Sequence, residues 1–182
     1  MPRLFAVLLG GNCAPRSNIE LHDIVFVAGE SLAETYPRLL ELWFGTPAGL
    51  HVDSWLELAV VDGHRIVLGR DPAAAGAKLF FVNLGGYRAG EFAELHARTF
   101  VVAASADEAK ERAKATLMGD CESVHTDDLY DVDEVLEVGV VGEWHVGLEP
   151  GAVPVPLEPH NGWLPLPEEL IAAFAARRPD AR

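Results

Sequence analysis

The run Leu4-Phe5-Ala6-Val7-Leu8-Leu9-Gly10-Gly11 returns about 75 residues later as Leu79-Phe80-Phe81-Val82-Asn83-Leu84-Gly85-Gly86. The next segments return too. Glu20-Leu21-His22 meets Glu94-Leu95-His96, Phe26-Val27 meets Phe100-Val101, Ser31 and Glu34 meet Ser105 and Glu108, and His51-Val52-Asp53 meets His125-Thr126-Asp127. A single one-residue slip after the glycines keeps the two series in register. Self-similarity at a fixed period means one supersecondary unit used twice.

Each unit reads as strand, loop, strand, helix, strand. Ser31-Leu32-Ala33-Glu34 and Ser105-Ala106-Asp107-Glu108 are capping boxes, in which serine and glutamate satisfy the backbone N–H groups that a helix start leaves free. Leu32, Tyr36, Leu39, Leu40 and Trp43 make an apolar stripe at helical spacing, and Gly45 and Gly119 stand where a left-handed cap would close each helix. Pro37 is discordant beyond a first turn, where it costs about 3 kcal/mol, unless the helix starts later than its box. Strands are expected over 53–61 and 127–138. Asp62-Gly63 reads as a hairpin turn into a strand from His64 to Leu68, and residues 71–76 as a linker of small residues.

The expected fold is therefore α+β. It is a tandem duplication of a strand-strand-helix-strand unit giving a largely antiparallel sheet, continuous across a pseudo-twofold, with helices on one face. The repeats are assigned to 1–74 and 75–147 of one globular body. The remainder, 148–182, is expected to be a proline-rich arm and a helix over 168–176, since Leu148–Pro167 holds six of the twelve prolines. The arm would be a strap or a lid.

Polar residues present in both copies are the candidate site. Glu20 with His22, and His51 with Asp53, lie two apart, so each pair faces one side of a strand; Glu94, His96, His125 and Asp127 repeat the pattern. Three readings stay open. The pairs line a small-molecule pocket, with histidine as general base and a carboxylate fixing its tautomer; or they are structural hydrogen-bond latches; or they serve a metal-dependent enzyme. No metal ligand is assigned, because the close helical or cysteine spacing of a metal motif is missing. The acidic run at 127–134 does not match an EF-hand loop.

Gly10, Gly11, Gly85 and Gly86 end apolar strands but open no helix, so a phosphate-binding loop is excluded; close backbone approach is the use expected of them. Asn12, Arg16, Asn18, Tyr87 and Arg88 sit in the loops after them, and the two arginines could hold an anionic group. Cys13 would be reactive only if its thiol were activated. His160-Asn161-Gly162-Trp163 either closes over a pocket or lets Trp163 anchor the arm.

Charge narrows the partners. Lys and Arg number 14 against 28 Asp and Glu in 182 residues, a formal net charge of -14, which repels nucleic acid and anionic membrane surfaces. The apolar start is too short for a signal segment, and nowhere do about eighteen apolar residues run together. Cys13 and Cys121 are not equivalent between copies. A cytoplasmic, reduced protein is expected, with a polar or anionic small molecule as partner, no cofactor specified, and homodimerisation open on general grounds.

L-F-x-V-x-L-G-G, then E-L-H, a helix and H-x-D, in tandem, resembles the bacterial family named domain of unknown function 1543. The likeness covers about 4–70 and 78–138. It implies one or two copies of this unit, supports the duplication and supplies no chemistry. Copy two departs from copy one in a loop one residue shorter and in Ala97, where copy one has Asp23.

Overall fold

The structure is a computed structural model and describes residues 1–13, 17–73, 75–117, 123–126 and 135–177. Its elements run β1 (Arg3–Gly11), β2 (Leu21–Gly29), α1 (Tyr36–Leu42), β3 (His51–Glu57), β4 (Val60–Val61), β5 (His64–Gly69), β6 (Lys78–Tyr87), β7 (Leu95–Ala103), α2 (Ala106–Leu117), β8 (Ser123–Thr126), β9 (Val135–Glu137), β10 (Val140–Val141), β11 (Trp144–Pro150), β12 (His160–Pro165) and α3 (Glu168–Arg177). Among the described residues the strands pair antiparallel throughout. No helix among them is long and apolar enough to cross a membrane.

Among the described residues there are three sheets instead of one continuous one, ordered β12-β3-β1-β2, β10-β11-β5-β4 and β7-β6-β8, with β9 also on β6. The chain forms two compact units, Met1–Ala59 with Pro156–Arg182, and Val60–Val155. The cut falls inside the first repeat. Its terminal hairpin β4-β5 leaves the first unit and joins the hairpin β10-β11 of the second.

In the first unit β1 is central, flanked by β2 and β3. Phe5, Val7 and Leu9, spaced by two, share one face with Val25, Val27 and Val52. Onto that face pack Leu39, Leu40 and Trp43 from α1 and its end, and Leu166 and Phe174 from the C-terminal segment. Each such side chain, fully buried, contributes about 1.5–3 kcal/mol. In the second unit Phe80, Val82 and Leu84 of β6 play the same part, with Val101 of β7 and with Ala109 and Ala113 of α2.

Both capping boxes form. Glu34 N donates to Ser31 Oγ at 3.4 Å and Glu30 N to the Glu34 carboxylate at 2.8 Å; the matching bonds at Ser105 and Glu108 are 3.3 and 2.9 Å. Only the second box opens directly into an α-helix. In the first copy a 3-10 turn, Ala33–Thr35, comes between, and α1 starts at Tyr36 with Pro37 in its first two positions. That later start is the one Pro37 requires, because the N–H it lacks would be unpaired there anyway.

Gly45 is not a left-handed cap, since its φ is not positive and α1 ends at an extended Trp43. It is small because a Cβ there would collide with Asn12 O and come within 2.7 Å of Trp43 Nε1. Gly119 lies outside the described residues. Asp62 and Gly63 have φ of 48° and 71°, as a tight hairpin turn demands, and the Asp62 carboxylate accepts from Val102 N and Arg112, both at 2.9 Å.

The first strand expected after the helix breaks at Leu58 and Ala59 into β3 and β4; of the second, only β9 falls within the described residues. The arm is a strap: residues 160–165 add to β3 as an edge strand, where proline is tolerated because one side of the strand needs no partner.

The two hairpins show the repeat most directly. With Val60-Val61 set against Val140-Val141, Gly147 is the counterpart of Val67, and the two lie opposite each other. Ile66 opposite Leu148 and Leu68 opposite Val146 then place a local twofold between them. A Cβ on Gly147 would lie 2.9 Å from Val67 Cγ2. The axis admits one branched side chain, and one copy supplies it.

Candidate functional site

Gly10 lies opposite His22 on one side and His51 on the other. Residues directly opposite in an antiparallel pair share a face, and alternation puts Gly10, one residue beyond Leu9, on the face away from the helices. Glu20 reaches the same place from just before β2. Asp53 arrives by a different device. The register of β3 slips between Leu8 and Leu9, which pair with Ser54 and Val52, so Asp53 is an extra, bulged residue. Such a bulge re-aims a side chain. Here it lets His51, Asp53 and Ser54 share the outer face while Trp55 turns inward to Phe5, at 5.8 Å between ring centroids.

The four side chains converge above Gly10. His51 Nε2 is 2.7 Å from Glu20 Oε1 and 3.3 Å from Asp53 Oδ1, and His22 Nε2 is 3.1 Å from Asp53 Oδ2. Glycine makes room for them: a Cβ would collide with Asp53 Oδ2 and would meet His51 Nε2 at 2.6 Å and Glu20 Oε1 at 3.0 Å. His51 is 4 % exposed. Its Nδ1 lies 2.8 Å from the Gly49 carbonyl, which can only accept, so Nδ1 donates and Nε2 is the nitrogen turned to the cluster. Although its charged neighbours are close, His51 Nε2 makes no aligned hydrogen bond, and neither does Asp53 Oδ2. Distance alone without direction does not make a hydrogen bond, so these are close contacts.

The strap closes one side. His160 stacks on Trp55 at 4.1 Å and 17°, and Ser54 Oγ donates to Asn161 Oδ1 at 2.8 Å. Trp163 is no anchor: it is 67 % exposed, with its ring 5.6 Å from that of His51. Asp23, next to His22, points the other way, opposite Leu9. Burial raises its carboxyl above the usual carboxylate range, partly offset by the hydrogen bond it accepts from Ile24 N.

The remaining candidates divide. Gly11 belongs to packing, since a Cβ would touch Trp43 Cζ2 at 3.0 Å. Asn12 clasps the loop through its carbonyl, which accepts from Thr46 N at 2.8 Å and Thr46 Oγ1 at 2.9 Å. Asn18 is exposed and Cys13 is a free thiol. Arg16 and Asp127 lie outside the described residues. In the second copy Gly85 lies opposite His96 and His125, and Gly86 opposite Leu95 and Val124. The frame of the first copy is repeated at the backbone. His96 Nε2 and Glu94 Oε2 are 3.8 Å apart, Tyr87 is half exposed at the end of β6, and Arg88 is paired with Glu91 at 2.8 Å.

The bulge at Asp53 and the Gly49 carbonyl that orients His51 have no signature in the residue pattern. A cleft of about 580 Å³ lies elsewhere, between β5, β11 and the linker. Its walls are mainly small and apolar, with His64, Asp71 and His145 on them.

Comparison with known proteins places the chain. The model of a domain of unknown function (DUF1543) matches residues 17–68 and 91–141, and the chain belongs to that family, with two copies in tandem. It is also similar to the crystal structure of a protein Il1583 from Idiomarina loihiensis, with 41% sequence identity over 92% of this chain and 99% of that one and a TM-score of 0.71. No curated protein matches.

Proposed function

We propose that the cluster above Gly10 is a binding site for a polar small molecule, and that the protein is a small-molecule-binding protein or an enzyme using His51 as its acid–base group. One observation carries this reading: a buried imidazole, fixed by the Gly49 carbonyl, turns Nε2 without an aligned hydrogen-bond partner toward the carboxylates packed over Gly10. Buried polar atoms are normally satisfied, and exceptions call for an explanation. Trp163 supplies an aromatic wall beside it. Of the arginines expected as anion clamps, Arg88 is paired with Glu91 and Arg16 lies outside the described residues, so neither adds to the reading.

The close contacts of His22 with Asp53 and of His51 with Glu20 favour a second reading, a structural latch in an interaction module. Amide and indole NMR spectra recorded with acetate, glycerol, imidazole and inorganic phosphate separate the two. Binding is expected to shift Gly10 and Trp163, and to be lost in His51→Ala while its melt stays near that of the wild type. A His51→Ala protein that is strongly destabilised, in a chain whose Gly10 and Trp163 signals answer none of the probes, would establish the latch.

A further inference from the structure

We propose that the cleft between β5, β11 and the linker is a second ligand site, and that it takes an organic ammonium ion carried on an apolar body. The proposal does not rest on the Gly10 cluster, and the cleft is built wholly within the unit Val60–Val155. Its volume of about 580 Å³ falls in the range of about 300–1,000 Å³ usual for small-molecule pockets, which combine apolar walls with a few polar groups.

The strands fix one wall. Gly69 lies opposite His145 and Val67 opposite Gly147, and all four line the cleft. The linker supplies another wall through Ala73, Ala75 and Ala77, and it is held at both ends. Before it, Arg70 pairs with Glu143 and lies over the Trp144 ring at 3.8 Å; after it, Lys78 pairs with Glu137 at 2.7 Å. A wall tethered in this way needs little ordering when a ligand arrives, which lowers the cost of binding.

Charge selects the ligand. The cations near the cleft are already taken, Arg65 by Glu149 at 3.9 Å, Arg70 by Glu143 and Lys78 by Glu137. Apart from its two histidines, the cleft has Asp71 as its one ionisable lining residue, and among the described residues that carboxylate has no ion-pair partner. His64 adds an acceptor. Its Nδ1 lies 2.9 Å from the Asp62 carbonyl, which only accepts, so Nδ1 donates and in the neutral ring Nε2 is the nitrogen left to accept. Acceptors beside apolar walls match an ammonium group on a hydrocarbon body, and the net charge of -14 draws cations toward the protein. An anion would find no lysine or arginine among the lining residues.

The experiment is an NMR titration of the full chain with 2-phenylethylammonium, its neutral analogue 2-phenylethanol and the anion 3-phenylpropionate. The ammonium is expected to shift the Gly69 and Gly147 amides at millimolar concentration, with the alcohol weaker and the carboxylate silent. Asp71→Asn should weaken ammonium binding by about fivefold, the size of a solvent-exposed ion pair, and leave the alcohol unchanged. Gly69→Leu should abolish the shifts, because its side chain enters open space, with nothing nearer the Cβ than the Asp71 carbonyl at 3.8 Å. Should that variant not fold, Ala75→Trp fills the cleft from the linker. The proposal is overturned by Gly69 and Gly147 amides that answer none of the probes, by an alcohol that binds as tightly as the ammonium, by Asp71→Asn without effect, or by shifts that survive the filling variants. Any of these leaves the Gly10 reading standing, since that site reports through Gly10 and Trp163.

Discussion

Each copy sets a glycine of its central strand between two histidines, Gly10 between His22 and His51, and Gly85 between His96 and His125. The surroundings of these frames differ. In the first, the bulged Asp53 and the nearby Glu20 close on His51, and the strap lays Trp163 beside it. In the second, Glu94 stands 3.8 Å from His96, and no strand equivalent to β12 pairs with β8 among the described residues. Duplication preserves a strand register easily, because a one-residue slip would turn every core side chain to the wrong face. The residue types of the site recur as well, as Glu94, His96, His125 and Asp127, so what sets the first copy apart among the described residues is the strap paired beside it. The first frame is the one to perturb.

The largest effect should come from the packing that supports it. Trp43 is buried over Gly11 and donates from Nε1 to the Thr46 carbonyl at 3.0 Å. Trp43→Ala is expected to cost about 3–5 kcal/mol, read by urea denaturation with tryptophan and circular-dichroism signals together. A loss under about 1 kcal/mol, the size of an ordinary single substitution, would mean that the first frame does not depend on this ring.

Next comes Gly10→Val. Its branches enter the space held by Asp53, His51 and Glu20, and overpacking costs about 1–3 kcal/mol. Because two of those neighbours are partly exposed and can turn away, the site should suffer more than the fold. The expected outcome is loss of every Gly10-centred binding signal with the cooperative melt retained. Binding that survives Gly10→Val places the ligand elsewhere.

How far such effects could be foreseen from the residues depends on what fixes them. The duplication, both capping boxes, the Asp62-Gly63 turn and the late start that Pro37 demands are local, and local patterns are written in spacing and residue type. The convergence of Glu20, His22, His51 and Asp53 was legible because the repeat acted as a second sequence. Strand partnership was not. Nothing in the period-two pattern of His64–Leu68 says whether it extends its own copy's sheet or pairs with β11, since either choice buries the same side chains. That the strap pairs as a strand was hidden by its prolines, which argue against a strand everywhere except at an edge. Gly45 misled because a glycine after a helix commonly has positive φ, whereas this one yields to the Asn12 carbonyl, a neighbour 33 positions away in the chain.

The capping boxes sharpen the comparison at a smaller scale. Ser105→Ala removes a cap from the 12-residue α2, while Ser31→Ala removes one from a 3-10 turn ahead of the 7-residue α1. Typical cap losses are about 1 kcal/mol. We expect that at Ser105 and about half of it at Ser31, because the 3-10 turn also has Thr35 Oγ1 donating to Leu32 O at 2.7 Å. Equal losses in urea melts would show that the contrast between an α-helix and a 3-10 turn behind the serine has no energetic weight.

The smallest effect is a gain. Asp23 faces Leu9 on the core side of β2, where its counterpart Ala97 faces Leu84 on the core side of β7. Burial holds the Asp23 carboxyl above its usual range, which is a statement about stability as well as titration. A group whose folded pKa is raised binds its proton more tightly when folded, so the fold is favoured below the unfolded value, about 3.9, and penalised as pH rises through the folded one. At neutral pH the folded state carries that penalty in full. Asp23→Ala should therefore stabilise the protein at pH 7 by no more than about 0.5 kcal/mol, because the carboxylate is partly exposed and solvent screens its charge, the bond from Ile24 N returning part of the gain. Measured against wild type below the carboxylate range, the difference should shrink to nothing or reverse, since a protonated Asp23 costs little and keeps that bond. A gain of the same size at both pH values would mean that shape, and not buried charge, separates the two copies at this position.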